Sequence, residues 1–172
     1  PDSLKLFLEE KQRKLSELLP ELKEKEKISK HKQNAKVYDG LNGLKTAFND
    51  IFTSLDAGDE YYFFQVPKEN LFNEQVTLFF RNYHLKRSEK KIKVRGLAVH
   101  SAKKKVKEIF KDIPHTNIKY LKEFTPSGVV IYKNKVITLD WDDVPTAFVI
   151  QSDAVARSYK RFFLQKWKKA TP

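Results

Sequence analysis

His84 and Lys86 stand two residues apart at the head of a basic run, "NYHLKRSEKKIKVRG" over residues 82–96. A His-x-Lys pair can open the H-x-K-x-x-x-x-D arrangement that cuts phosphodiester bonds. There, His is the nucleophile, Lys holds the phosphate, and both point the same way because they share a strand. The spacing fails here: five positions beyond Lys86 stands Lys91, where the arrangement needs Asp. Residues 70–90 also carry helical periodicity, which sets His84 and Lys86 about 200° apart around the axis. They are not expected to meet on one phosphate. The plain alternative leaves both solvated on the outside of a helix.

The remaining candidates for chemistry are sparse. His31 lies in the Lys-rich tail of the first helix, His100 just after a strand, and His115 beside Pro114 in a loop. No pair has the H-x-x-x-H spacing of a zinc site, and no Gly-rich phosphate loop or G-x-S-x-G elbow occurs. There is no Cys, which removes disulfides, thiolate metal sites and cysteine catalysis together. No metal and no cofactor are expected. Asp140, Asp142 and Asp143 flank Trp141 at a strand end, an arrangement seen both in cation sites and in solvated turns. Gln65, His100, Asp140, Trp141 and Asp142 all fall at the C-terminal ends of expected strands. In open α/β sheets that rim is where ligands collect. Together they form a candidate ligand-binding set suited to a polar small molecule such as a sugar. The alternative for each is an ordinary loop residue.

The elements that must position these residues follow from periodicity. Residues 3–33 read as a helix in which Leu4, Leu8, Leu15, Leu18 and Leu22 keep a 4,3 spacing, with Lys11 in the missing step. That is a short heptad seam for pairing with another helix, and packing on its own domain is the alternative. Pro20 should end or kink it near Leu19. From Ala35 the chain reads β-α-β-α-β-α-β-β-β-β-α. "AKVYDG" is a strand, and the next helix buries Leu44, Phe48, Ile51, Phe52 and Leu55. "EYYFFQV" lacks polar alternation and so reads as a strand covered on both faces, as in a parallel sheet. Residues 70–90 form a helix with Phe72, Val76, Phe79, Phe80 and Tyr83 inward. Then come "IKVRGLAV", a Lys-rich helix capped by Ser101, and "NIKYLK". A hairpin of "GVVIY" and "VITLDW" turning at Asn134 leads to "TAFVIQ". The last helix is capped by Ser152 and buries Val155, Tyr159, Phe162, Phe163 and Trp167. Alternating strands and helices imply a parallel core, to which the hairpin adds antiparallel strands.

Composition bounds the partners. The 172 residues include 34 Lys+Arg against 22 Asp+Glu, a net charge of +12 that favours polyanions. The excess is mostly Lys interleaved with Glu, as in "KEKEK", so solvated helix faces are the alternative. No apolar run approaches the roughly 20 residues of a membrane span. No membrane contact is therefore expected, and the absence of Cys fits a reducing cytoplasm. The chain opens on Pro1 and has no Met, which suggests a fragment of a longer protein.

Several segments together resemble the TrmB-like archaeal transcriptional regulators. "LLPELK" followed by "AKVYDGLNGLKTAFNDI" resembles the family's hinge between linker helix and effector domain. "FFRNYHLKRSEKKIKVRGL" looks like its basic helix before an I-x-V-R strand. "GVVIYKNKVITLDWDDVPTAFVIQSDAVARSYKRFFLQKW" is similar to its closing hairpin and F-x-x-x-W helix. The resemblance covers nearly the whole chain and implies an α/β fold, a phospholipase D-like mixed sheet with helices on both faces, preceded by a coiled-coil-like helix. Residues 1–34 would be the linker and dimerisation segment and 35–172 the regulatory domain. The strand that carries His-x-Lys in catalytic relatives would be "SGVVIY", where Ser127, Gly128 and Val129 replace it. The following acid is absent from the Lys133–Lys135 turn.

The resemblance thus implies a non-catalytic domain, not an enzyme. It would sense an effector, often a sugar, and form a homodimer, with DNA bound by an N-terminal winged helix absent from these residues. The alternative function is direct nucleic-acid binding through Lys-rich surfaces at 86–95, 103–107 and 160–169.

Overall fold

The computed structural model describes residues 7, 10–20, 33–64, 74–122, 127–141 and 144–172. The chain divides into two units, residues 1–33 and 34–172. In the first, residues 10–20 are helical (α1). Its surface is laced by i,i+4 pairs, with Lys14 Nζ 2.7 Å from Glu10 and Arg13 facing Glu17. Leu15 and Leu18 lie in α1, and Pro20 is its last described residue. Leu4, Leu8 and Leu22 fall outside the described residues.

The second unit follows the expected order of elements: β1 (Asn34–Asp39), α2 (Gly40–Ser54), β2 (Glu60–Phe64), α3 (Glu74–Glu89), β3 (Lys93–Val99), α4 (Lys103–Phe110), β4 (Thr116–Leu121), β5 (Gly128–Tyr132), β6 (Lys135–Asp140), β7 (Thr146–Gln151) and α5 (Asp153–Lys169). The strands form one seven-stranded sheet, ordered β1-β7-β6-β5-β2-β3-β4. This is a mixed α/β sheet, but its parallel part is smaller than the sequence suggests. Only β2, β3 and β4 are parallel neighbours. The β5-β6-β7 meander inserts between β1 and β2, so β1 becomes an edge strand paired antiparallel with β7. β2 is the seam, parallel to β3 and antiparallel to β5.

Side chains alternate across this sheet, and helices cover both faces. On one face Leu44, Phe48 and Ile51 of α2, Leu55 just after it and Tyr83 of α3 pack on Tyr61, Val94, Val130, Ile137 and Val149. On the other, Phe163 and Ala156 of α5 pack on Tyr62, Phe64, Leu97, Ile131 and Val136. α4 joins through Val106, against Ala98, Val99 and Tyr120. Its C-terminal carbonyls at Glu108, Ile109 and Lys111 accept from Arg81 of α3, at 3.2 to 3.4 Å. A cation there satisfies orphan carbonyls and opposes the helix dipole.

Two local expectations are corrected. Ser101 does not cap α4: residues 100–102 form a 3₁₀ turn and Ala102 holds the cap position without a side-chain bond. Burial of Ala102 in the cluster of Val99 and Val106 fixes that entry instead. Phe162 is 46% exposed, because adjacent helix positions diverge by 100° and α5 turns Phe163 inward. Ser152 does cap α5, accepting from the Val155 backbone N–H at 3.4 Å. Among the described residues no helix is long and apolar enough to cross a membrane.

Candidate functional site

The His-x-Lys pair of α3 separates as helical geometry requires: Lys86 is exposed, while His84 is 5% exposed. His84 is therefore not the solvated residue of the plain alternative. Its ring lies 4.2 Å from that of Phe110 and 5.0 Å from that of Tyr83, and Nδ1 is 3.3 Å from the Tyr61 hydroxyl. Burial, reinforced by the nearby Arg87 cation, holds its pKa well below 6.5. This imidazole is a neutral core residue.

Arg87 is the larger surprise. It lies inside the basic run yet is 0% exposed. Nη1 donates to the carbonyls of Ile92 and, at 3.0 Å, His115. Nη2 donates to Pro114 O at 3.2 Å and the Thr116 hydroxyl at 2.7 Å. Nε has no acceptor. The guanidinium thus ties the end of α3 to the loop before β4. Sequence spacing did carry the signal, since Val76, Phe80, His84 and Arg87 fall 4, 4 and 3 apart on one stripe. The 86–95 segment is therefore no continuous basic surface, because Arg87, Ile92 and Val94 are internal.

The rim residues share one end of the sheet without converging. His100 follows β3, whereas Asp140 ends β6, with β2 and β5 between them. Three inter-strand steps of about 4.8 Å separate those strands by roughly 14 Å. Asp140 is exposed and its carboxylate accepts from the Trp141 backbone N–H at 2.8 Å, an arrangement internal to the turn. Trp141 is half-buried against Phe80, ring centres 6.0 Å apart, on the α3 face. Gln65 and Asp142 lie outside the described residues. No three His, Asp or Glu side chains among the described residues are grouped to hold a metal.

His100 has different company. It lines a cleft of about 210 Å³ with Tyr120, Lys122, Lys166, Lys169 and Thr171. Three chain segments meet there. The first follows β3, the second ends β4, and the third closes α5. The last is clamped by reciprocal backbone bonds, Tyr120 N–H to Thr171 O at 2.7 Å and Thr171 N–H to Tyr120 O at 3.1 Å. The His100 and Tyr120 rings lie 5.8 Å apart, and Lys103 Nζ sits 4.6 Å from the Tyr120 ring centre. Two of the Lys-rich stretches, 103–107 and 160–169, thus meet at this cleft. The third lies at the opposite end of β3, roughly 20 Å away at 3.3 Å per strand residue. The sequence points to His100 and to the stretches 103–107 and 160–169 separately but not to their meeting, which depends on α5 crossing to β4.

No protein-family profile matches the chain, and no curated protein matches it. Among solved structures, it resembles TrmBL2, an archaeal chromatin protein with a novel mode of DNA binding. The TM-score is 0.57 and the identity 16%, covering 97% of this chain and 68% of that one. It also resembles NucT from Helicobacter pylori, with a TM-score of 0.58 and 12% identity over 81% of this chain and 99% of that one. At these identities the likeness is one of fold, and that fold is common to TrmBL2, NucT and this chain.

Proposed function

We propose that residues 34–172 are a phospholipase D-like, non-catalytic effector-sensing domain of a TrmB-like DNA-binding regulator. α1 would be part of a dimerising linker. The observation that carries the reading is β5. All five of its residues, Gly128–Tyr132, are buried, and none is His or Lys, on the strand where catalytic relatives would carry the pair. The β5–β6 turn brings Lys133 and Asn134 but no acid. The fold likeness to TrmBL2 supports a DNA-associated role, in which effector binding would shift the dimer and reorient DNA-binding heads.

The test has three readouts on one preparation. Hydrolysis of bis-(p-nitrophenyl) phosphate is expected to stay at the buffer rate. Sedimentation is expected to give a dimer, and a metabolite thermal-shift screen is expected to give a stabilising hit. Turnover above buffer overturns the non-catalytic reading, and a monomer without any hit overturns the regulatory one.

The cleft at His100 favours a second reading, direct contact with a nucleic-acid backbone. Binding of a short duplex measured at about 50 and 200 mM salt separates the two, since phosphate contacts are lost steeply with salt.

A further inference from the structure

We propose that the solvent-facing crest of α5 is a docking surface for the phosphate backbone of duplex nucleic acid. The inference rests on the second reading above, direct contact with a nucleic-acid backbone, and names the surface that makes it.

α5 carries one acid, Asp153 in its first turn, followed by six Lys and Arg residues. At 100° per residue, Arg157, Arg161, Leu164 and Lys168 fall within an arc of about 60°. All four are exposed, and the buried Ala156 and Phe163 lie roughly 110–130° from the centre of that arc. The sheet is therefore behind this stripe and solvent in front of it. Roles within the domain do not account for it. Helix-dipole compensation explains Lys168 in the last turn but fades before Arg157 and Arg161. Cationic stems can shield apolar surface, yet these point away from the core that Phe163 enters. Three and four residues from Arg161 stand Arg157, Ser158, Leu164 and Gln165, so the helix sets a like charge beside it. α1 and α4 do the reverse, with Glu10 against Lys14 and Glu108 against Lys105. A like pair at that spacing weakens a helix, and a polyanion along the crest converts the repulsion into attraction.

The partner follows from length and charge. From Arg157 to Lys168 the stripe runs about 16 Å at about 1.5 Å per residue, or about five base-pair steps of roughly 3.4 Å. A compact anion would meet one of these cations at a time, whereas a duplex backbone presents phosphates along the whole row. The net charge of +12 adds long-range attraction for the same class of partner. Phosphates carry no sequence information, so the contact is expected to be indifferent to base sequence.

The experiment follows binding of the whole chain to a short labelled duplex by fluorescence anisotropy at about 50 to 200 mM salt. Arg157→Gln/Arg161→Gln/Lys168→Gln keeps good helix formers on the crest, and circular dichroism checks the fold. Lys45→Gln/Lys86→Gln/Lys111→Gln removes equal charge from exposed positions elsewhere. In the crest variant the slope of log affinity against log salt should fall by about 2 to 3, near 0.9 per lost phosphate contact. Affinity at the lower salt should drop by roughly tenfold or more, while the control keeps its slope. Equal changes in both triple variants overturn the proposal, because net charge alone would then explain binding. A second readout leaves every charge in place. The chain has no Cys, so Leu164→Cys and Thr46→Cys each carry a single environment-sensitive dye. Duplex should shift the emission at position 164 and not at 46, and no shift at 164 overturns the proposal. Tighter binding to phosphatidylglycerol vesicles than to duplex overturns it as well. His100→Ala/Lys122→Ala separates the crest from the cleft. If that variant loses duplex binding and the crest variant does not, the nucleic-acid reading stands at the cleft and the crest falls. A wild type that binds no duplex fails both.

Discussion

Arg87 Nη2 donates to the Thr116 hydroxyl at 2.7 Å across a part-buried gap between the end of α3 and the start of β4. The same guanidinium satisfies the carbonyls of Ile92, Pro114 and His115. A buried cation answered by carbonyl dipoles is expensive to place and more expensive to disturb, because its removal strands several acceptors at once. Arg87→Met should therefore cost about 1–3 kcal/mol, since the buried Ile92 carbonyl is orphaned while the part-buried acceptors at Pro114, His115 and Thr116 can turn to water. Arg87→Lys should recover only part of it, since one ammonium cannot reproduce the fork. Urea unfolding checks both, and a loss under about 1 kcal/mol would mean that water replaces the guanidinium.

His84 makes stability depend on pH in a defined window. Desolvation, then the Arg87 charge, lowers its folded pKa well below 6.5. Tyr61 and Tyr83 face it as neutral phenols, both pushed up by burial. The unfolded chain then binds a proton that the folded chain refuses, so stability is complete above 6.5 and falls as pH drops below it. The slope for one such group approaches about 1.4 kcal/mol per pH unit. His84→Phe, matched to the surrounding rings of Phe80 and Phe110, should flatten the profile between pH 7.5 and 5. Equal losses in variant and wild type over that range would assign the acid sensitivity to another group. Asp50 acts lower on the scale. Desolvation raises its pKa, but bonds from Lys135 and Tyr132 outweigh that and leave it below 3.8. Its contribution is present above 3.8 and is lost as pH falls through the lowered value.

Gly96 marks where the sheet admits no side chain. A Cβ there would overlap the Phe63 ring and stand 2.7 Å from Ile118 Cδ1. Phe63 cannot swing aside freely, because its ring stacks on Phe110 at 5.8 Å with an interplanar angle of 3°. Gly96→Ala is expected to destabilise by about 1–3 kcal/mol through overpacking. Differential scanning calorimetry reads this as a lowered Tm, and an unchanged Tm would show that the Phe63–Phe110 stack yields.

These residues show which parts of the molecule were legible in the sequence. The order of elements came from local periodicity, which needs no partner to be read. The stripe through Val76, Phe80, His84 and Arg87 was equally local, yet charge made two of its members look like surface. Their burial depends on α4 and the loop before β4 closing over that flank. The separation of His100 from Asp140 was not local at all. It follows from β5, β6 and β7 entering the sheet between β1 and β2, and no residue near either site encodes that insertion.

The seam of α1 gives the last prediction. Leu15 and Leu18 are 56% and 53% exposed, three residues apart on one stripe of the helix. An apolar stripe on a helix whose remaining positions are mostly charged or polar is what a partner helix would cover. Each leucine fully buried contributes roughly 1.5–3 kcal/mol, and a two-fold dimer would bury both from each chain. Leu15→Glu/Leu18→Glu places carboxylates at those positions while keeping good helix formers. Sedimentation velocity is expected to shift from dimer to monomer, with helical content by circular dichroism unchanged. A double variant that sediments as a dimer would move the interface off α1. β1, an edge strand among the described residues, would then be the next surface to test, because a strand edge can add a strand from another chain.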